Sequence, residues 1–260
     1  MTGASSGIGR ETARKLGVSG TELVLVARDT ERLKALADEI AAPFLSGPQD
    51  QPGPSVEILG ADLADPEQLA VVEARLADRD RPIDLLVNNA GFGTYGAFAD
   101  LPIDGEQREI QVNVVAVVRL AHTALGAMRE RGHGTIVNVS SVAGLQATPG
   151  NATYGATKAF VASFSEALHG EARSAGVSVT AALPGYTRTE FAARAGIEGR
   201  PIPSFAWQSV EACAAQILDA ARAGKPFFVP GVLNKVLVAL SGPVPRGLKR
   251  RVAARLASRF

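Results

Sequence analysis

Six short apolar runs along the chain alternate with longer stretches in which apolar residues recur every three or four positions. The runs are Glu22–Ala27, Val56–Gly60, Asp84–Asn88, Thr135–Val139, Val177–Leu183 and Pro226–Val229. Their centres, such as Leu23-Val24-Leu25-Val26 and Leu85-Leu86-Val87, are continuously apolar, as strands buried on both faces are. The helical period covers residues 8–18, 30–41, 66–79, 105–131, 151–175 and 208–223. This alternation predicts an α/β protein, a doubly wound parallel sheet with helices on both faces. Val112 to Met128 is apolar almost all round, so its outer face is expected to be covered as well. Pro43 to Pro54 holds four prolines and reads as an irregular surface loop.

Composition narrows the classes of function. At 260 residues, 46% apolar and 20% charged, the chain reads as one large globular domain over residues 1–230 with an extension over 231–260. A net charge of +1 argues against nucleic acid as a partner. The single Cys213 excludes an intrachain disulfide and a multi-cysteine metal site, and fits a cytoplasmic protein. His122, His133 and His169 lack ligand spacing, so no metal is expected. No signal peptide is read, and no unbroken apolar run reaches the ~20 residues of a membrane span. After Asp219 the chain has no acidic residue but many cations, with an apolar run Val232–Leu240 and a basic helix from about Arg246. This tail either packs over the domain or makes peripheral contact with an anionic membrane.

The candidate chemistry starts at Thr2-Gly3-Ala4-Ser5-Ser6-Gly7-Ile8-Gly9. Glycines spaced G-x-x-x-G-x-G give a tight turn, close approach of backbone to phosphate and close packing of the following helix, whose positive end would face a diphosphate. Tyr154 and Lys158, at i and i+4, share a helical face. A cation about 4 Å from a phenol, at an effective dielectric of ~20, contributes roughly 4 kcal/mol, or about three pKa units toward the phenolate. The expectation is a tyrosine usable as a general acid or base near neutral pH. Ser141 stands thirteen residues before it, with Ser140 as a competitor. Further along the series lie Asp62-Leu63, Asn88-Asn89-Ala90-Gly91, Asn113 and Pro184-Gly185-Tyr186-Thr187-Arg188-Thr189.

In that order and at those distances the motifs resemble the classical short-chain dehydrogenase/reductase family, from residue 2 to about residue 230. The resemblance implies a Rossmann-type fold and an oxidoreductase that interconverts a carbonyl and an alcohol. It assigns proton transfer to Tyr154, substrate orientation to Ser141, the nicotinamide ribose to Lys158 and a positioned water to Asn113. It assigns cofactor binding to Gly3, Ser5, Ser6, Gly7, Ile8, Gly9, Arg28, Asp62, Leu63, Asn89, Ala90, Gly91, Pro184, Gly185, Thr187 and Thr189. Arg28 follows the first predicted strand, where NADP-preferring members carry arginine, so NADP is expected ahead of NAD, with Asp29 as a neighbour that weakens the preference. The family also builds dimers or tetramers from the long apolar helix. A lid is expected over about 187–207; Leu145, Tyr186 and Phe191, with Phe92, Tyr95, Phe205 and Trp207, suggest a hydrophobic ketone, aldehyde or secondary alcohol.

One departure stands out. A dinucleotide fold needs a central strand feeding the glycine turn, and here only Met1 precedes Thr2. The expectation is an upstream in-frame extension of four to eight mainly apolar residues ending in valine. The alternative is a genuine truncation, which would suit a non-catalytic NADP-binding regulator; an epimerase or dehydratase of the extended branch is a third reading.

Overall fold

The computed structural model describes residues 1–45, 53–196, 203–241 and 247. Six parallel strands form the centre: β1 (Leu23–Ala27), β2 (Val56–Gly60), β3 (Leu85–Asn88), β4 (Gly134–Val139), β5 (Val177–Ala182) and β6 (Phe227–Phe228). β1 pairs with β2 in one ladder, and β3-β4-β5-β6 form a second. Representative registers are Leu25↔Ile58, Val87↔Val137 and Val137↔Thr180. Every expected strand is present, within two residues at each end.

Successive strand residues feed opposite helix layers. Val26 and Leu86 pack with Leu69 and Val72 of α3 (Pro66–Leu76), with Leu120 and Met128 of α5 (Ala116–Arg131), and beside Ala172 of α6 (Ala152–Ala172). Leu23 and Leu25 pack on the other side with Leu16 of α1 (Gly7–Val18), with Leu33, Leu36 and Ile40 of α2 (Thr30–Leu45), and with Leu218 of α8 (Val210–Arg222), which follows the short α7 (Phe191–Arg194). Cys213 of α8 is fully buried against Val87, Val137 and Val139. Burial holds its thiol up to about 12.

The two ladders meet across Met1 and Thr2. The Met1 amine donates to the Val24 carbonyl at 2.9 Å, Val26 N–H donates to the Met1 carbonyl at 2.9 Å, and Thr2 N–H donates to Val87 at 3.0 Å. These two residues therefore stand where a strand feeding the glycine turn belongs. Behind them a narrow slot runs between β1 and β3, lined by Val24, Val72, Leu76, Ile83 and Leu86.

Two expectations change. Pro43 lies in the last turn of α2 rather than in a loop, where a missing N–H costs one terminal hydrogen bond; residues 46–52 of the expected loop lie outside the described residues. The long helix runs from Ile103 to Arg131, 29 residues, as α4 (Ile103–Ile110), a π turn (Gln111–Val115) and α5. By length and composition it passes as a membrane span, which the search for unbroken apolar runs missed. The extension begins as α9 (Val232–Ser241), whose Val238 packs on the cluster of Ala162, Ala181, Leu183 and Val229. The basic helix from Arg246 lies outside the described residues, apart from Gly247.

Candidate active site

The glycine turn is built by conformations and clearances that a side chain would destroy. Gly3 and Gly7 take φ of +64° and +55°, and a Cβ on Gly3 would stand 2.7 Å from Asn89 Nδ2. Asn89 donates from Nδ2 to the Thr2 carbonyl at 3.1 Å and the Gly3 carbonyl at 3.2 Å. Thr2 Oγ1 accepts from the N–H groups of Asn89 and Ala90, each at 3.0 Å. The Asn89 amide thus braces the turn. Ser6 caps α1 without a side-chain bond, and no acidic residue sits in the first turn, so Gly7, Ile8 and Gly9 leave N–H groups free for an anion. The turn fits a dinucleotide diphosphate.

At the end of β1 the exposed Arg28 has no ion-pair or hydrogen-bond partner among the described residues. Asp29, expected to compete with it, is occupied: Oδ1 accepts from Arg32 N–H at 3.0 Å, and Oδ2 lies 3.4 Å from Arg32 Nε. Asp62 is held by Arg108 and by Ala64 N–H at 3.1 Å. The Leu63 side chain is buried with Leu69 and Val72. On the lid side Thr189 lies against Gly7, and Glu190 pairs with Arg32 at 2.9 Å and with Arg194, which donates to Ser6 Oγ at 3.3 Å. Thr187 is buried and bonds Gly185 O and Gln208 Nε2, both at 3.1 Å. Lid residues 197–202 lie outside the described residues.

The proposed catalytic side chains converge beyond the glycine turn. Ser140 is buried and donates to the Lys158 carbonyl at 2.6 Å, a supporting bond. Ser141, one residue on, neighbours the Tyr154 phenol. Lys158 is buried, donates from Nζ to the Val139 carbonyl at 2.9 Å, and stands 5.7 Å from the centre of the Tyr154 ring. Asn113, fully buried in the π turn, bonds both Phe92 backbone groups, at 3.2 and 2.8 Å, and Thr157 Oγ1 at 3.1 Å. Gly91 faces Asn113 Oδ1 and Lys158 Nζ, while Gly93 faces the Tyr154 ring; a Cβ on Gly93 would meet that ring at 2.7 Å.

The electrostatics differ from the sequence expectation. Desolvation of its enclosed hydroxyl raises Tyr154 to about 12, against a downward pull from Ser141. Desolvation likewise lowers Lys158 to about 8. Lys158 points its ammonium at the Val139 carbonyl, and burial, not the lysine, dominates the tyrosine.

Sequence reading missed Thr94, Glu106 and Glu109. Both glutamates are buried in α4, and Thr94 Oγ1 lies 2.5 Å from Glu106 Oε1 and 3.0 Å from Glu109 Oε2. A signal existed: Glu109 stands four residues before Asn113, on the same helical face as a residue already singled out.

At the open end, the Phe191 ring lies 5.4 Å from Tyr154, and Tyr186 lies 5.5 Å from Trp207. Leu145 is half-buried beside Val238 of α9, and Gly185 abuts Asn234 of the same helix. Pro184 contributes its carbonyl to Ser141 Oγ at 3.4 Å.

Comparison with known proteins decides the family. Residues 1–198 match the short chain dehydrogenase family model. The chain belongs to the short-chain dehydrogenase family. Among relatives of this family, mouse dehydrogenase/reductase SDR family member 7B is 33% identical over 195 residues, 75% of this chain. The match spans 59% of that relative's length. The solved short-chain dehydrogenase from Sphingobium yanoikuyae in complex with NADPH is 36% identical, with a TM-score of 0.80 over 95% of both chains. The bulky-bulky ketone specific alcohol dehydrogenase from Comamonas testosteroni is 31% identical, with a TM-score of 0.77 over 95% of this chain and 94% of that one.

Proposed function

We propose that this short-chain dehydrogenase is an NADP(H)-dependent oxidoreductase that interconverts a hydrophobic ketone or aldehyde and its alcohol. The observation that carries the reading is the meeting of Ser141, Tyr154 and Lys158, with Gly91 against the Lys158 ammonium and Asn89 and Ala90 of the same segment against the glycine turn. When bound, the nicotinamide supplies or accepts the hydride. Gly3, Ser5, Ser6, Gly7, Ile8 and Gly9 hold the diphosphate, Arg28 the 2′-phosphate, and Asp62, Ala90 and Gly91 line the rest of the dinucleotide path. Pro184, Gly185, Thr187 and Thr189 close over the nicotinamide end.

In reduction, the Tyr154 hydroxyl passes its proton to the substrate oxygen while Ser141 donates a hydrogen bond to that oxygen. Lys158 holds the nicotinamide ribose, and its charge favours the tyrosinate left behind. Asn113 fixes Phe92 and with it the loop against Lys158. Leu145, Tyr186 and Phe191 give the substrate an apolar wall, and the ketone-specific Comamonas relative supports that class. The NADPH-bound Sphingobium relative and the unpaired Arg28 support the cofactor assignment.

The test is nicotinamide oxidation with a panel of bulky hydrophobic ketones and aldehydes, run with NADPH and with NADH. Turnover with NADPH is expected; its absence across the panel, with the protein folded, would overturn the reading. Arg28→Asp is expected to reduce the NADP-over-NAD preference in kcat/KM by on the order of 100-fold, by removing a charge-assisted pair and adding a repulsion. An unchanged ratio would show that Arg28 faces away from the phosphate.

A further inference from the structure

The helix that carries Tyr154 begins without a cap of its own. Asn151 precedes α6 without a side-chain bond, and the first turn holds no acidic residue. A carboxylate from another helix stands there instead. Glu106 of α4 is buried; its Oε2 accepts from the Thr153 hydroxyl, and its Oε1 from the Thr94 hydroxyl at 2.5 Å. Each carboxylate oxygen is thus engaged by a different segment of the chain. Thr94 Oγ1 also lies 3.0 Å from Glu109 Oε2. A hydroxyl has one hydrogen to give, so Glu109 carries the proton of that contact and Glu106 is the carboxylate. Thr94 N–H donates to Glu109 Oε2 at 3.0 Å, which fixes Thr94 a second time.

The bridge brings together two parts of the site. Thr94 follows Gly93, and a Cβ on Gly93 would meet the Tyr154 ring at 2.7 Å, so the segment that Glu106 holds lies directly on the tyrosine. Thr153 immediately precedes Tyr154 on the helix. Three residues after the tyrosine, Thr157 Oγ1 donates to the Tyr154 carbonyl at 2.9 Å and accepts from Asn113 Nδ2 at 3.1 Å. The turn bearing the phenol is therefore tied on both flanks to the helix from Ile103 to Arg131, by Glu106 and by Asn113. A single remaining anchor would be a pivot. Without the Glu106 tie the turn can rotate about Thr157 and carry the hydroxyl away from its place.

We propose that Glu106 is a positioning residue whose carboxylate, shared between Thr94 and Thr153, sets the Tyr154 hydroxyl for proton transfer. The inference deepens the oxidoreductase reading above and rests on it for its kinetic consequence. The bridge needs a partner for each hydroxyl rather than a charge. Glu106→Gln keeps one acceptor and one donor for the two hydroxyls, and Glu106→Leu keeps neither.

The test measures kcat, NADPH affinity by fluorescence titration, and fluorine resonances of the cofactor-free protein. Glu106→Leu and Thr153→Val are expected to lower kcat by about 10- to 100-fold, since a reacting group misplaced by about 1 Å loses on that order. NADPH affinity should stay within a few-fold of wild type, and Glu106→Gln and Thr153→Ser should keep most of kcat. If Glu106→Leu does not fold, Thr153→Val carries the test, because it exchanges one hydroxyl for a methyl. Labelling with 3-fluorotyrosine marks the three tyrosines, Tyr95, Tyr154 and Tyr186, and Tyr154→Phe assigns the signal of interest. That signal should move in Thr153→Val and return in Thr153→Ser, with Tyr186 unmoved throughout. An unmoved Tyr154 signal or an unchanged kcat in Thr153→Val would overturn the proposal. Equal damage from Thr153→Ser, or from Glu106→Gln and Glu106→Leu, would do the same, as would loss of kcat matched by loss of NADPH affinity. The fluorine arm does not depend on turnover. A signal that moves as expected beside a silent substrate panel supports the anchor and counts against the oxidoreductase reading alone.

Discussion

Tyr154→Phe is expected to lower kcat by about 10³-fold while leaving NADPH binding within a few-fold of wild type. The substitution deletes one oxygen and keeps the ring, so the packing against Phe191 and Gly93 survives. What disappears is the hydroxyl proposed to protonate the substrate, whose ring lies 5.7 Å from Lys158 Nζ. General acid–base groups contribute typically 10²–10⁴-fold, and loss of a group acting only in the transition state lowers kcat and kcat/KM alike. Lys158 should behave differently. Lys158→Met removes both the charge near the Tyr154 ring and the ribose contact proposed above, so KM for the cofactor should rise as kcat falls. Steady-state kinetics with fluorescence titration of NADPH would separate the two patterns. Retention of more than about a tenth of the activity in Tyr154→Phe would rule out its role as proton donor.

The second large effect concerns stability. Adding four to eight mainly apolar residues ending in valine before Met1 is expected to raise the melting temperature by about 10 °C. The slot between β1 and β3 has an apolar lining of Val24, Val72, Leu76 and Leu86, and only Met1 and Thr2 bridge the two strands there among the described residues. Each buried apolar side chain contributes about 2 kcal/mol, against roughly 1 kcal/mol for ordering its backbone, leaving about 4 kcal/mol for four residues. A further contribution is pH-dependent. The Met1 amine is enclosed, and burial lowers it from 8.0 to about 5. A base with a lowered folded value penalises the fold below its unfolded value, so the penalty is absent above pH 8, grows as pH falls, and is complete below about 5. Moving the amine to solvent removes it. The advantage of the extended chain should therefore widen from pH 8 toward pH 5 in thermal melts; equal melting temperatures at both ends would refute the strand-slot account.

The parts of this protein written as periodicity or as spacing were legible before any coordinates. Continuous apolar runs located β1 and β3, because burial of the strand on both faces leaves no alternation to misread. Glycine spacing located the turn because Gly3 and Gly7 need positive φ, which other residues rarely tolerate. The i, i+4 rule brought Tyr154 and Lys158 to one face. It could not tell where the ammonium points, and Val139, nineteen residues away, takes it. The same limit explains Asn89, whose motif suggested a cofactor contact although its amide braces Thr2 and Gly3. Glu106 and Glu109 were invisible for another reason: glutamates on a helix usually read as a solvated face, and only tertiary packing buries these two. Pro43 inside α2 shows propensity overruled at a helix end, where the cost is smallest.

The burial of Cys213 turns the chain's one thiol into a clock for its own opening. Only the thiolate reacts with alkylating dyes, and a thiol held near 12 inside the sheet–α8 interface offers almost none while the fold is closed. Each label incorporated at neutral pH therefore records a moment when α8 leaves the sheet, so the modification rate reads a local opening free energy directly. Thr187, at the base of the lid, adjoins this thiol. Whatever fastens the lid should slow the clock, and the sulfur then reports occupancy of the cleft without a substrate ever being identified.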